Sequence, residues 1–532
     1  MLIDLNKQSS LNLVNSDVCI VGAGAAGITL ARDLMHIGLR VVLLEGGGAD
    51  FEAPSQSLFE GPNVGMEYYE LEHARLRFFG GTTNIWGGRC IPLDPIDFRK
   101  RAWVPHSGWP IGLDDLAPWY RKAQATLELG EYRYGEELWQ EIADSAPNFS
   151  QDSLSTLFWR FDNMKERFAW SRCADLINSD KVNVVLHANA VHVQANAAGT
   201  SITRIEVRAL AGDMIPVKAK HYVLACGAIE NARLLLASRD VQKNGIGNDT
   251  DQVGRYFMEH PHGRVGRVET DKPFELWAQF RKRFRPGDTD VAPSLVASEA
   301  LQERLGVLNS AMTFKLQRDP DVGVSLNKRA YLSLKHNLNP TKSGRMLWHS
   351  YRNVRAFLQR HIRLPLERAR VKFGRAGLYI MTRAEQAPNP DSRVTLANEL
   401  DYFGKPKAEL NWQLNAQDKF TVRRLGETLG SELEKLSLGK VHISEWLKND
   451  SLDWPVDPTV SNHPIGGYHH MGTTRMSVNG STGVVDKNLA VHGYSNLYVA
   501  GSSVFTTGGW ANPTITIIAL SHRLAEYLKK LL

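Results

Sequence analysis

Residues 17–45 pass through two hydrophobic patterns in turn. An unbroken apolar run at 18–21 predicts a strand buried on both faces, a helically spaced stretch follows, and a second apolar run ends at Glu45. Strand, glycine-rich turn, helix and strand in that order predict a βαβ unit and a parallel sheet. Farther along, residues 183–193 carry the pattern of an apolar strand pair. Residues 203–217 alternate about a Gly212-Asp213 turn, which predicts hairpin-like strands leading back to a buried run at 222–228. Residues 342–375 show a different period. Leu347, Tyr351, Val354, Leu358 and Ile362 recur at helical spacing, Arg345, Arg352, Arg355 and Arg363 gather on another side, and Pro365 interrupts the pattern. That reads as a basic amphipathic helix.

Length changes the picture first. At ~150 residues per domain, a 532-residue chain holds more than one core, and two large units are expected. A hydrophobic content of 43% with 23% charged residues is that of a globular protein and excludes a disordered chain. The first residues lack a basic stretch followed by an apolar run, and no run of about 18 apolar residues occurs, so a cytoplasmic protein is expected. Cys19, Cys90, Cys173 and Cys226 are scattered without metal-ligand spacing, which predicts packed thiols and no metal site. The net charge of +6 points to no nucleic-acid partner. Its distribution says more: residues 342–375 hold ten Lys and Arg against one Glu, so the rest of the chain is net acidic. The expected role of that helix is to pack its apolar stripe on a substrate domain. The alternative is a peripheral docking surface for anionic lipid, a phosphate-bearing substrate or an acidic redox partner.

The turn in the βαβ unit carries chemistry. Gly22-Ala23-Gly24-Ala25-Ala26-Gly27 fits GxGxxG: Gly22 allows the tight turn, Gly24 lets the backbone approach a pyrophosphate, and Gly27 lets helix and strand pack closely. Glu45 falls where a carboxylate accepts hydrogen bonds from a ribose. An adenine dinucleotide is therefore expected, although the fingerprint alone does not separate NAD from FAD. No second such turn exists for a nicotinamide, so electrons would leave to oxygen, a quinone or a redox protein.

The choice between the two cofactors rests on a resemblance carried by longer stretches. RFFGGTTNIWGGRC at 77–90, GGYHHMGTTRM at 466–476 and NLYVAGSSVFTTGGWANPTITIIAL at 496–520, with YVLACGAIENARLLLAS at 222–238 and PNPDSRVTL at 388–396 between them, resemble the glucose-methanol-choline (GMC) family of FAD-dependent oxidoreductases. The motifs look nearest to bacterial sugar and polyol oxidoreductases and pyranose oxidases. The resemblance implies an α/β fold: a Rossmann-type FAD-binding domain assembled from 1–110, 170–270 and 455–532, and a substrate domain from 111–169 and 271–454 built on an antiparallel sheet flanked by helices. It implies FAD contacts at Gly22, Gly24, Ala25, Ala26, Gly27, Glu45, Gly80, Gly81, Thr82, Thr83, Asn84, Trp86, Val191, Ala225, Gly227, Gly501, Ser502, Pro513 and Thr514. Ile85 stands where some members carry a flavin-linking His, so a noncovalent flavin is implied.

Oxidising an alcohol through flavin sends a hydride to N5 and the hydroxyl proton to a base. The family pattern H-x-x-G-T puts that base at His469, with Asn512 as the second group on the substrate oxygen. Asn512 before Pro513 also fits a helix N-cap. His470 and Trp510 are weaker substrate candidates. His260 and His262 are expected to be structural or part of a substrate loop, and Asp391 and Arg393 a turn and ion pair. The implied function is oxidation of the CH–OH group of a sugar, sugar derivative or polyol. The alternatives are a non-redox lyase of the same fold and the flavin subunit of a membrane-linked dehydrogenase complex.

Overall fold

Every position of Ser16–Val21 and Val41–Leu44 is buried, as an interior parallel strand requires. A computed structural model describes residues 1–7, 16–142, 144–145, 147–164, 166–285, 287–317, 340–457 and 467–532, leaving out the side chains of residues 352, 355, 356 and 359–361. Gly466 of the His-His loop, and the side chains of Arg352 and Arg355, thus lie outside the described residues. Leu2–Asp4, Val182–Leu186, Val41–Leu44, Ser16–Val21, Ala219–Leu224 and Leu497–Val499 form, in that order, a six-stranded sheet whose pairings are all parallel. Helix Ala25–His36 makes the crossover between the two strands of the βαβ unit. The C-terminal helix Thr514–Leu531 packs beside it, joined by His522 Nδ1 and Asp33 at 2.6 Å, and by Tyr120 and Thr516 hydroxyls at 2.9 Å to helix Leu113–Thr126.

The strand pair expected at 183–193 is divided between two sheets. Val182–Leu186 enters the parallel sheet, whereas Asn189–Ala195 pairs with Ile202–Arg208, and that strand with Met214–Val217, in a three-stranded antiparallel sheet.

The second large layer is a seven-stranded sheet of Lys440–Ile443, His262–Glu269, Gly377–Arg383, Ala311–Gln317, Val291–Ala297, Leu154–Phe161 and Arg89–Cys90, paired antiparallel throughout. Two of its strands, Arg89–Cys90 and His262–Glu269, come from the segments 1–110 and 170–270. Helix Ala416–Lys435 lies close against it, because a Cβ at Gly426 would come within 2.4 Å of the Val265 side chain. In the turn at 388–396 the expected Asp391–Arg393 pair is not made: Arg393 reaches Asp251 at 2.7 Å, and the exposed Asp391 lies 3.7 Å from Arg255.

The basic segment departs from its expected packing. It forms two helices, Lys342–His361 and Arg363–Lys372, with the break three residues before Pro365, since a proline offers no N–H to the carbonyl four residues earlier. Leu347, Tyr351, Val354, Leu358 and Ile362, the row expected to be packed, are exposed, as are Met346 and Phe357. Arg345, expected on the solvated face, is buried instead and bridges Asp50 at 2.7 Å and Glu166 at 2.9 Å.

Candidate active site

A cleft opens at the carboxyl ends of the parallel strands, beside the glycine-rich turn. Gly22, at φ +104°, abuts the neighbouring strand so closely that a Cβ would lie 2.6 Å from the Ala225 carbonyl oxygen. A Cβ at Gly27 would meet the Gly22 carbonyl oxygen at 2.0 Å, which is the close helix-to-turn contact expected of it. Gly24 differs: a Cβ there would touch nothing within 4 Å. No protein contact calls for glycine at that position, and a side chain would project into the cleft, where a pyrophosphate on the helix N-terminus belongs.

Gly22, Gly24, Ala25, Ala26, Glu45, Gly80, Gly81, Thr82, Thr83, Ala225, Gly227, Gly501 and Ser502 all line this cleft. Glu45 is held by the backbone N–H groups of Ala23 (3.1 Å) and Gly47 (2.9 Å). Burial raises its pKa, opposed by those N–H groups and by Arg77.

Six expected contacts stand back from the cleft. Gly27 packs as described. Asn84 donates to the Phe79 and Gly81 carbonyls, each at 3.0 Å, and so staples the loop rather than lining the cleft. Trp86 lines a separate small cavity with Glu166 and Trp348. Val191 is buried on the other face of its strand, and Ala188 and Ala190 supply the wall, as alternation along a strand dictates. Pro513 and Thr514 open the C-terminal helix, and Ile517, a turn later, reaches the cleft. The sequence reading missed Phe59, Arg75, Arg77 and Glu230 in the lining. Glu230 is buried, yet Arg233, Arg75 and Arg77 hold its pKa down to about 2.

At the far end the His-His loop is clamped on both sides. Met471 and Met258 exchange backbone hydrogen bonds at 3.0 Å, and Gly472 donates to the Ser502 carbonyl at 3.1 Å. Gly472 sits at φ +88° with its Cα face 2.1 Å from the Tyr256 carbonyl oxygen were a Cβ added, so only glycine fits. The extended backbone before it sends the two imidazoles apart. His470 lines the cleft rather than standing with the substrate groups, and its buried Nε2 has no hydrogen-bond partner among the described residues. His469 turns to a different set of partners.

That set fixes its tautomer. The Gly509 carbonyl can only accept, so His260 Nε2, 2.8 Å away, carries a hydrogen. Burial, then Arg383, lowers the pKa of His260 to about 3, so it is neutral and its Nδ1 accepts. His469 Nδ1, at 2.8 Å from that atom, therefore donates, which leaves His469 Nε2 as a bare lone pair facing the Asn512 amide nitrogen at 3.2 Å. Burial, reinforced by His260, Arg383, His262 and His470, holds the His469 pKa well below its ordinary 6.5. The His469 backbone N–H donates to both Glu259 oxygens (2.9 and 3.0 Å), and the Tyr68 hydroxyl donates to the same carboxylate at 2.5 Å. Burial raises Glu259 to about 8 against those hydrogen bonds.

Asn512 is no N-cap. Its amide serves His469, its buried Oδ1 has no partner among the described residues, and Pro513 takes the capping position. Trp510, a substrate candidate, is fully buried. Its indole donates to Asp94 at 2.8 Å and its ring packs edge-on to Trp159 at 5.1 Å, so it is a packed core residue. His262 lies across the sheet from Arg383, its buried Nε2 also without a hydrogen-bond partner among the described residues.

Comparison with known proteins places the chain among flavin-dependent oxidoreductases. A family model described as FAD dependent oxidoreductase matches residues 17–305, and one described as GMC oxidoreductase matches residues 388–521. Along nearly its whole length the chain is similar to the fructose dehydrogenase large subunit of Gluconobacter japonicus, 24% identical over 96% of this chain and 97% of that one. It is likewise 24% identical to the 2-methyl-1,2-propanediol dehydrogenase of Mycolicibacterium austroafricanum, covering 97% of this chain and 95% of the other. The 6'''-hydroxyparomomycin C oxidase of Streptomyces lividus is 25% identical over 96% and 90% of the two chains. Among solved structures, the pyridoxine 4-oxidase from Mesorbium loti superposes with a TM-score of 0.52 at 17% identity, covering 96% and 99% of the chains. A fungal aryl-alcohol oxidase gives 0.54 at 14%, covering 97% and 99%. These superpositions speak for the fold.

Proposed function

This chain belongs to the GMC family of FAD-dependent oxidoreductases, and we propose that it oxidises the CH–OH group of a sugar, sugar derivative or polyol, with His469 as the base. The observation that carries the reading is the chain of hydrogen bonds from Gly509 through His260 and His469 to Asn512, which leaves one imidazole lone pair where a hydroxyl proton can be taken. Bound FAD supplies a two-electron acceptor for the hydride. His469 Nε2 accepts the hydroxyl proton, and the Asn512 amide turns its donor to the substrate oxygen as it becomes a carbonyl. His260 holds the imidazole in the accepting tautomer, and Glu259 fixes the loop backbone.

Gly24, Glu45, Gly80–Thr83 and Gly501-Ser502 would hold the cofactor. Ile85 offers no nucleophile, so the flavin is bound without a covalent link. The division into an FAD-binding part (1–110, 170–270, 455–532) and a substrate part is included in this proposal. The acceptor is oxygen, a quinone or a redox protein. The exposed apolar row on the basic helix favours a second element of the reading, a site of electron delivery at an anionic membrane surface. Among the described residues no helix is long and apolar enough to cross a membrane.

Anaerobic addition of sugars, nucleotide sugars and polyols to the flavin-loaded protein tests the proposal. Bleaching of the visible flavin band by at least one is expected. Turnover of a substrate with the band intact would move the chain to the non-redox lyase alternative.

A further inference from the structure

Most buried arginines here have a carboxylate. Arg101 and Glu385, 1% and 0% exposed at their side chains, pair through two hydrogen bonds of 2.8 and 2.6 Å, Arg167 is fixed by Asp162 at 2.7 Å and Arg233 by Glu230 at 3.0 Å. Two arginines, Arg383 near His469 and Arg89 near Arg383, break that habit. Arg383 ends the strand Gly377–Arg383 and is only 6% exposed, yet its buried Nη1 has no hydrogen-bond partner among the described residues. Arg89, half-buried on the edge strand Arg89–Cys90 of the same sheet, likewise forms no ion pair among the described residues. Both guanidiniums converge on the Trp159 ring, at 5.2 Å for Arg89 and 5.7 Å for Arg383. Trp159 in turn packs on Trp510, two residues before Asn512.

Burying guanidiniums without a counterion is unfavourable, and two side by side more so. Burial, then the charge of Arg89, lowers Arg383 to about 9. The one carboxylate that acts on Arg383, Glu259, is itself raised to about 8 and so is mostly protonated at neutral pH. No ionised carboxylate therefore neutralises Arg383, and its planar fork of N–H donors keeps a buried donor without a partner among the described residues.

We propose that Arg383 and Arg89 form a receptor for an oxyanion carried by the substrate, so that the alcohol oxidised at His469 belongs to a hydroxylated carboxylate or a phosphate ester, a sugar acid or sugar phosphate. The proposal rests on the reading above and narrows its substrate class. The reaction leaves the anion untouched: the carbinol loses a hydride to FAD and a proton to His469, and the guanidiniums hold the anion while the adjoining carbon is oxidised. Carboxylate and phosphate share the recognition chemistry, bidentate hydrogen bonding to guanidinium.

The test compares glucose, gluconate and glucose 6-phosphate as anaerobic reductants of the flavin-loaded enzyme, and titrates the oxidised flavin spectrum with acetate and with inorganic phosphate. One anionic compound is expected to be preferred over glucose in kcat/KM. Arg383→Gln should lower that preference about 10- to 100-fold, the range for losing hydrogen bonds to a charged group, and Arg383→Lys should lower it less. Acetate or phosphate should perturb the flavin spectrum, and which of them does so separates a carboxylate receptor from a phosphate receptor. Retained flavin content in Arg89→Gln and Arg383→Lys guards against simple misfolding. Preference for glucose, with neither small anion perturbing the spectrum, overturns the inference and leaves sugar oxidation standing. An anion-induced spectral shift that Arg383→Gln abolishes, with no bleaching by any of the three compounds, supports the receptor and counts against sugar oxidation.

Discussion

A neutral imidazole can serve as base through either nitrogen, and here the backbone decides which. Because the Gly509 carbonyl forces a hydrogen onto His260 Nε2, the free lone pair falls on His469 Nε2. His469→Ala is expected to slow flavin reduction by ~10²-fold or more while leaving bound flavin unchanged. His470→Ala should slow it far less, and the reverse ranking would show that the wrong imidazole was chosen. His260→Phe, which removes the acceptor for His469 Nδ1, should slow reduction by about 10-fold or more through loss of the correct tautomer rather than loss of the base. The pH dependence follows from burial. His469, held well below 6.5, stays in its accepting form as pH falls through 6.5, so the reduction rate should remain level to a clearly lower pH, and a half-maximal rate at 6.5 would contradict this. Stability runs the other way. His260, His469 and His470 take up protons near 6.5 when unfolded but not when folded, so the melting temperature should fall as pH drops below 6.5. At this scale the family motifs pointed to His469 and Asn512, 43 positions apart, and the structure brings their side chains within 3.2 Å. The sequence hid His260, whose partner lies 209 positions away, and Arg383, whose meaning is the missing carboxylate and not any local pattern.

Elements were legible where burial imposes one period. The βαβ unit and its glycine turn could be read directly, since two strands buried on both faces leave no alternation to confuse. The turn predicts its own test: Gly24→Val should abolish flavin loading, because the cleft, not protein, occupies the space beside its Cα. Full flavin content in that variant, judged from the visible spectrum, would remove the pyrophosphate from this turn. The strand pair at 183–193 misled because two adjacent apolar strands look alike whether they pair with each other or enter different sheets. Asn512 misled for a related reason. An Asn-Pro step is a good helix entrance, but a side chain offered both a cap and an imidazole goes to the imidazole once the loop of residues 467–476 is clamped opposite. The Gly508-Gly509 turn that positions His260 is itself anchored by Glu385, which accepts from the Gly509 N–H at 3.3 Å and pairs with Arg101. Arg101→Leu should therefore destabilise the protein by ~3–5 kcal/mol, the cost of stranding a buried carboxylate, measurable as a lower urea midpoint.

For the molecule as a whole, the basic helix is where pattern and packing part. Its amphipathic period was visible, but a period does not say which side meets a neighbour, and the contact is made by Arg345 on Asp50 and Glu166 while the apolar row faces outward. Met346, Leu347, Val354, Phe357 and Leu358 form an exposed apolar face on a segment carrying ten Lys and Arg against one Glu. An anionic lipid surface satisfies both features at once: acyl chains take the apolar row and headgroups the cations, at ~1 kcal/mol for each basic residue near the surface. The protein is expected to co-sediment with vesicles containing anionic lipid at low salt, not with neutral vesicles, and to be released at ~0.5 M salt as the Debye length contracts. Phe357→Ser with Leu347→Ser should weaken sedimentation without changing the salt dependence. Arg352→Gln with Arg355→Gln should weaken it and flatten that dependence, because it removes charge and leaves the apolar row. If the unaltered protein stays in the supernatant with anionic vesicles at low salt, the face does not meet lipid, and electron delivery to a membrane acceptor through this helix is ruled out with it.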